Sequence, residues 1–383
     1  MQPAAYPCAA DQCPRFWPWA WLGLFAAGAI ASLPLTGLSI DPTQFLAAAA
    51  WLGSALGLSC LRSRIAGVRF DRLIDFFEAG AIFCGITTFA GVISYSAAAL
   101  SSGFADQWLI ASDSALGFDW DKAFQFTFAH PVLERISRYA YASIFLSPIV
   151  IVASLCASGR VDRVRRFICV YGLALAVTVV ALGWLPTEGP LAISKIGGDG
   201  HDTAVAMRYV PIIEALRSGE LRSIDLVRME GLVSMPSFHA ASGLMFIWAA
   251  WPLRRLRWPV FALNLALIAA TPVEGNHYLT DVLAGLALAG ISIRLVDAAI
   301  ARRGANQSLW KVVRSPDFVL SGWPGRVTAT PNRQITDSMR DIPVIHRADS
   351  KDSALCDSKS CAYSSGDRDG SPSLTGRSAT AIR

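Results

Sequence analysis

Two short strings in this chain hold residue types that can do chemistry together. Ser234-Met235-Pro236-Ser237-Phe238-His239 and, further on, Asn276-His277-Tyr278-Leu279-Thr280-Asp281 supply two imidazoles, a carboxylate and hydroxyl groups. His277 and Asp281 are four apart, so on a helix they share one face. The carboxylate can then accept a hydrogen bond from one ring nitrogen and leave the other free to attack phosphorus, with the imidazole as nucleophile. Pro236 suits a first helical turn, where its missing N–H costs nothing. That puts the N–H groups around Ser237 and Phe238 at a helix N-terminus, which favours a bound phosphate. Ser237 adds a hydroxyl, and His239 in the same turn is placed to protonate a departing alkoxide. Either histidine alone carries little weight, since one near a helix end is usually an interfacial or core residue. The chain has only five histidines, however, and two fall at matching helix starts. Zinc held by His239, His277 and Asp281 or Glu274 is the competing chemistry; the expectation is catalysis with no metal and no cofactor.

The elements that must position these groups are membrane helices. A chain of 383 residues that is 53% hydrophobic and 16% charged, with a mean hydropathy of +0.41, is too apolar for an ordinary soluble domain. Uncharged runs at Phe16–Ile40, Pro42–Leu61, Ala79–Ala105, Tyr139–Gly159, Phe167–Thr187 and Gly231–Leu253 can each cross about 30 Å of hydrocarbon as a helix. Trp258–Val273 and Asn276–Ile300 complete an expected set of eight. The last carries His277, Asp281, Arg294 and Asp297. Ionisable groups in a span face a hydrated cavity or a partner, which makes this span the place to look for function. The expected fold is therefore an all-α, polytopic transmembrane helix bundle.

Orientation follows the arginines, because short loops rich in Lys and Arg stay cytoplasmic. Arg62, Arg64, Arg69 and Arg72 lie between spans two and three, Arg160, Arg163, Arg165 and Arg166 between four and five, and Arg254, Arg255 and Arg257 between six and seven. The alternate loops are acidic: Asp106, Asp113, Asp119 and Asp121 load one, and Glu188–Glu230 has seven acids against five bases. Both termini are predicted cytoplasmic, in a bacterial inner (plasma) membrane. Spans six and eight then run in the same direction, and both begin at the extracytoplasmic face. The first span is read as a helix rather than a cleaved signal peptide, because the apolar run is long and no small-residue cleavage site follows it.

The net charge of +5 is mostly this cytoplasmic bias and implies no nucleic-acid partner; the bilayer and a lipid substrate are the expected ones. Cys60, Cys84, Cys156 and Cys169 sit in or beside apolar runs as small hydrophobes, and Cys356 and Cys361 fall in a cytoplasmic tail, which disfavours a bridge. The reading divides the chain into N-terminal helices over residues 1–110, a membrane catalytic domain over 111–302, and a disordered tail over 303–383 rich in Ser, Asp, Arg, Gly and Pro. Trp120–His130 suits either an interfacial helix or a packing loop. Gly197-Gly198-Asp199-Gly200-His201-Asp202 suits either a lid or a plain turn.

Pro236-Ser237-Phe238-His239 and His277-Tyr278-Leu279-Thr280-Asp281 resemble the second and third motifs, Pro-Ser-x-His and His-x-x-x-Asp, of the type 2 phosphatidic acid phosphatase (PAP2) superfamily. Within it the chain looks like the inositol phosphorylceramide synthase-like branch. The resemblance implies that His277 is a nucleophile forming a phosphohistidine, Asp281 its orienting partner and His239 the general acid. Two features of the superfamily are absent. Ala270-Thr271 stands where Ser-Arg usually opens the third motif, and the first motif, Lys, six residues, then Arg-Pro, is missing, Lys122 with His130-Pro131 being one residue too long. Lys195, Arg208, Arg217, Arg222 and Arg228 in the outer loop are the candidate phosphate-binding bases. The expected activity is a membrane phosphatase or phosphotransferase on a lipid or lipid-linked phosphate, with a non-catalytic transporter or scaffold as the alternative.

Overall fold

The computed structural model describes residues 12–61, 68–194, 204–232 and 235–313. Among them are thirteen helices: α1 Trp17–Thr36, α2 Pro42–Leu61, α3 Val68–Leu100, α4 Asp106–Ala115, α5 Trp120–Phe128, α6 Pro131–Ala142, α7 Ser147–Ala157, α8 Val161–Trp184, α9 Pro190–Ile193, α10 Ala204–Ser218, α11 Phe238–Ala250, α12 Arg257–Glu274 and α13 Leu279–Val313. The one departure from an all-helical bundle among these residues is a parallel pairing of β1 Ser39–Ile40 with β2 Ser223–Ile224, which ties the end of α1 to the approach to α11.

Four helices are long and apolar enough to cross a membrane: Phe16–Thr36, Phe70–Leu100, Val161–Trp184 and Leu279–Asn306. A fifth span results if α6 and α7, bent by 54°, count as one. Each of the eight expected spans corresponds to a helix or to this bent pair, but not all have full span length. Helix α11 has 13 residues, because it starts only after Pro236, at the Ser237 cap, and so is about 20 Å long at 1.5 Å per residue. The fourth expected span is broken at residues 143–146, and Pro148 sits in the first turn of α7, where a proline starts a helix but cannot continue one.

The core lies where α1, α3, α7, α8, α11 and α13 meet, with Phe167, Phe246, Ile151, Leu155 and Met245 essentially inaccessible. Helix α8 is the axis of this cluster and buries twelve residues. Outward faces stay apolar, as at Leu24, Ile30 and Leu35 of α1 and Ile291 and Leu295 of α13, which is what a helix presents to lipid. Described arginines from separate basic segments gather at one end of the bundle. Arg72 donates to the carbonyl of Ala157 at 2.8 Å, and the Arg163 guanidinium lies 3.6 Å over the Trp248 ring.

Within residues 120–130, Trp120–Phe128 form α5, which is bound to the bundle: the Trp120 indole donates to the Pro272 carbonyl at 2.8 Å, and Trp120 and Phe124 pack on Val273. The segment Glu188–Glu230 is more ordered than a loop, containing α9, α10 and β2; its Gly197–Asp202 stretch lies outside the described residues. Helix α13 continues to Val313, beyond the Arg303 where the composition changes. The rest of the expected tail, with Cys356 and Cys361, lies outside the described residues.

Candidate active site

The first turn of α13 lacks intrahelical partners for its N–H groups, as every helix start does. The preceding residue, Tyr278, is not a capping type. The cap comes from α4: Asp113 Oδ2 accepts from the Leu279 N–H at 2.8 Å, while its Oδ1 accepts from the Thr280 N–H at 2.8 Å and the Thr280 hydroxyl at 2.6 Å. This carboxylate fixes the start of α13, and with it Asp281 and the segment carrying His277.

The same segment is anchored a second time. Asn276 adopts the left-handed conformation, φ 54°, which asparagine tolerates better than most residues. Its Oδ1 accepts from the Leu191 N–H at 2.7 Å, and its Nδ2 donates to the Tyr209 hydroxyl at 3.3 Å. Asp106 accepts from the Tyr278 hydroxyl at 2.8 Å and from the N–H groups of Glu188 and Gly189 at 2.9 Å. Burial foremost, then the Asp106 charge, raises the pKa of Glu188 and of the Tyr209 phenol, so Tyr209 stays a proton donor.

Asp281 and His277 are 0% and 3% exposed. His277 Nδ1 stands 3.5 Å from Asp281 Oδ2, longer than an ordinary bond of about 2.7–3.2 Å. The same Oδ2 accepts from the Tyr278 N–H at 3.1 Å. The Asp281 carbonyl accepts from the Ser237 N–H at 3.0 Å, which locks the start of α11 to the start of α13. The helices come this close because residue 285 is glycine: a Cβ there would stand 2.2 Å from the Ser237 carbonyl oxygen.

His239, in the first turn of α11, has its ring centroid 6.2 Å from that of His277. Its other face stacks on Tyr141 of α6, 4.4 Å between centroids at 14°. The structure thus brings His239, His277 and Asp281 together. It engages Ser237 otherwise than the sequence suggested: the amide is bonded to Asp281, and the buried hydroxyl accepts from the Ala240 N–H at 3.4 Å as the cap of α11. Ser237 thus has a structural role at the start of α11, and its hydroxyl keeps a hydrogen to donate. Phe238 and His239 retain first-turn N–H groups, and the Phe238 ring meets Tyr171 edge-on at 5.1 Å.

The described candidate bases do not converge here. Arg217 bonds to the Ser101 hydroxyl and the Gly103 carbonyl, Arg222 and Arg228 are exposed, and Lys195 and the Arg208 side chain lie outside the described residues. Among the described residues, no hydrogen bond, ion pair or ring contact from Lys or Arg reaches His239, His277 or Asp281. Nor does any group of three or more His, Cys, Asp and Glu there suit a metal ion.

Four contributors were missed from sequence: Asp106, Asp113, Asn276 and Tyr141. Asp113 left a usable signal, since an uncapped helix start requires acceptors from elsewhere and the acids of residues 106–121 were the nearest candidates. Tyr141 left none.

Residues 107–295 match the family model of the PAP2 superfamily. The matched stretch runs from α4 into α13 and encloses both histidines, Asp281, Asp113 and Tyr141. No curated protein and no solved structure matches the chain.

Proposed function

We propose that this chain is an integral membrane phosphoesterase or phosphotransferase that acts on a lipid or lipid-linked phosphate through a phosphohistidine at His277. The observation that carries the reading is the 6.2 Å separation of the two imidazoles with Asp281 behind one of them. A nucleophile about 3–3.5 Å from phosphorus and a general acid within about 2.6–3.2 Å of the leaving oxygen require two rings at about this spacing. The superfamily match supports the same assignment.

Because Nδ1 of His277 faces Asp281, Nε2 is the attacking atom. Its lone pair forms the N–P bond as the bond from phosphorus to the leaving oxygen breaks, and His239 gives that oxygen its proton. The resulting imidazolium is stabilised by the Asp281 carboxylate. In the second half, His239 takes a proton from water or an alcohol, whose oxygen attacks phosphorus and expels His277. Water makes the protein a phosphatase, and an alcohol makes it a phosphotransferase. A cavity of about 480 Å³ lined by Asp113, Phe118, Trp120, Ser194 and Tyr278 adjoins the site and has room for a lipid headgroup.

We place the site at the extracytoplasmic face, because Arg72, Arg163 and Arg166 gather at the opposite end of the bundle and loops rich in arginine stay cytoplasmic. The test is incubation of purified protein with labelled lipid phosphates and a range of alcohols, reading released product and acid-labile phosphoprotein. His277→Ala should lose both while the protein remains folded and inserted. Full turnover in that variant overturns the mechanism, and no turnover by the natural sequence across the panel favours a transporter or scaffold.

A further inference from the structure

The phosphoryl group presents negative charge between two imidazoles, and the described residues bring no arginine to it. Something must nevertheless donate to the non-bridging oxygens, because charge developing there in the transition state is stabilised by preorganised hydrogen-bond donors. Three tyrosines surround the site. The Tyr278 hydroxyl is committed to Asp106, and that of Tyr209 to the Glu188 carbonyl at 2.7 Å. The hydroxyl of Tyr141 makes no hydrogen bond among the described residues.

The placement of Tyr141 is built by the fold. One turn before it on the same helix face, the Ser137 hydroxyl bonds to the Glu274 carboxylate at the end of α12, which fixes α6 against the residue just before Gly275. The Tyr141 ring then covers His239 in the near-parallel stack. Its hydroxyl oxygen and Cδ2 of His277 each lie 2.8 Å from the point where a Cβ on Gly275 would stand. Tyrosyl oxygen and nucleophilic ring therefore border one small space, and glycine is the residue that leaves it empty.

We propose that Tyr141 is a catalytic residue of this site: its phenol donates a hydrogen bond to a non-bridging phosphoryl oxygen, the task a cation would otherwise perform, while its ring holds His239 in line. The proposal rests on the phosphoryl-transfer reading above. No proton is transferred from Tyr141 in either half of the reaction; it donates a hydrogen bond and keeps its hydrogen.

The experiment compares the purified full chain with Tyr141→Phe, which keeps the stacked ring and removes only the hydroxyl. One readout is turnover of labelled dioctanoyl phosphatidic acid; the other is binding of orthovanadate, a five-coordinate mimic of the transition state, followed by tryptophan fluorescence and independent of turnover. Expected are a fall of about 10²-fold in kcat, KM within about twofold, and vanadate affinity weakened by a comparable factor. Vanadate affinity and kcat equal to those of the natural sequence overturn the proposal. Weakened vanadate binding without any acid-labile label on His277 in the natural sequence supports Tyr141 as an anion donor and removes the phosphohistidine instead, so the two failures are distinguishable.

Discussion

The two ends of the bundle bury charge in opposite ways. At the arginine-rich end long cationic side chains find carboxylates and carbonyls: Arg166 reaches Asp162 at 2.7 Å and Asp297 at 3.6 Å, Arg15 reaches Glu78 at 3.4 Å, and Arg72 and Arg163 reach the carbonyls of Ala157 and Trp248. At the histidine end Asp113 and Asp106 accept mainly from backbone N–H groups. An ion pair between two long side chains tolerates small shifts of its helices. A carboxylate bonded to successive backbone amides does not, because the donors are fixed by the fold. The first arrangement pairs side chains within and between helices; the second fixes the backbone that carries His277 and Asp281.

Substitutions at each end separate these roles. Loss of His277 is the largest effect, with turnover abolished as described above. Asp113→Ala comes next: it strands two α13 amides and the Thr280 hydroxyl, costing about 3 kcal/mol of stability. Displacement of His277 by about 1 Å lowers kcat by about 10²-fold. Kinetics and thermal unfolding in detergent read both, and a normal kcat in a destabilised protein would break the distinction between the two ends. Gly285→Ala should cost about 1–3 kcal/mol through the clash with Ser237, with kcat falling as α11 and α13 separate. Gly290→Ala on the same helix is its control, since nothing lies within 4 Å of the added methyl. Smallest is Arg166→Ala at the other end, about 1 kcal/mol of stability with kcat unchanged. A tenfold loss of kcat there would show that the ends are coupled.

Much of the architecture was legible along the chain, because hydrocarbon admits few options. A long uncharged run must be a helix, and every one expected became a helix or a bent pair. The break at residues 143–146 was only half legible: Pro148 in the middle of Tyr139–Gly159 marks where a helix restarts, but the 54° bend depends on α6 packing against α12 and α5. The histidines were legible as chemistry because their motifs are local. What local pattern did not carry is the partner of the Ser237 amide, which is the carbonyl of Asp281, far along the sequence.

What the sequence determined by itself was the helical class, the bias of basic loops and the identity of two imidazoles with a carboxylate, since each follows from composition or from spacing of a few residues. Only the tertiary structure decided that α11 and α13 begin side by side, that Asp113 caps the second of them, and that Tyr141 covers His239. Those are contacts between segments remote in the chain, and they depend on how closely helices can approach, which one glycine at position 285 and one at 275 permit and no local pattern encodes.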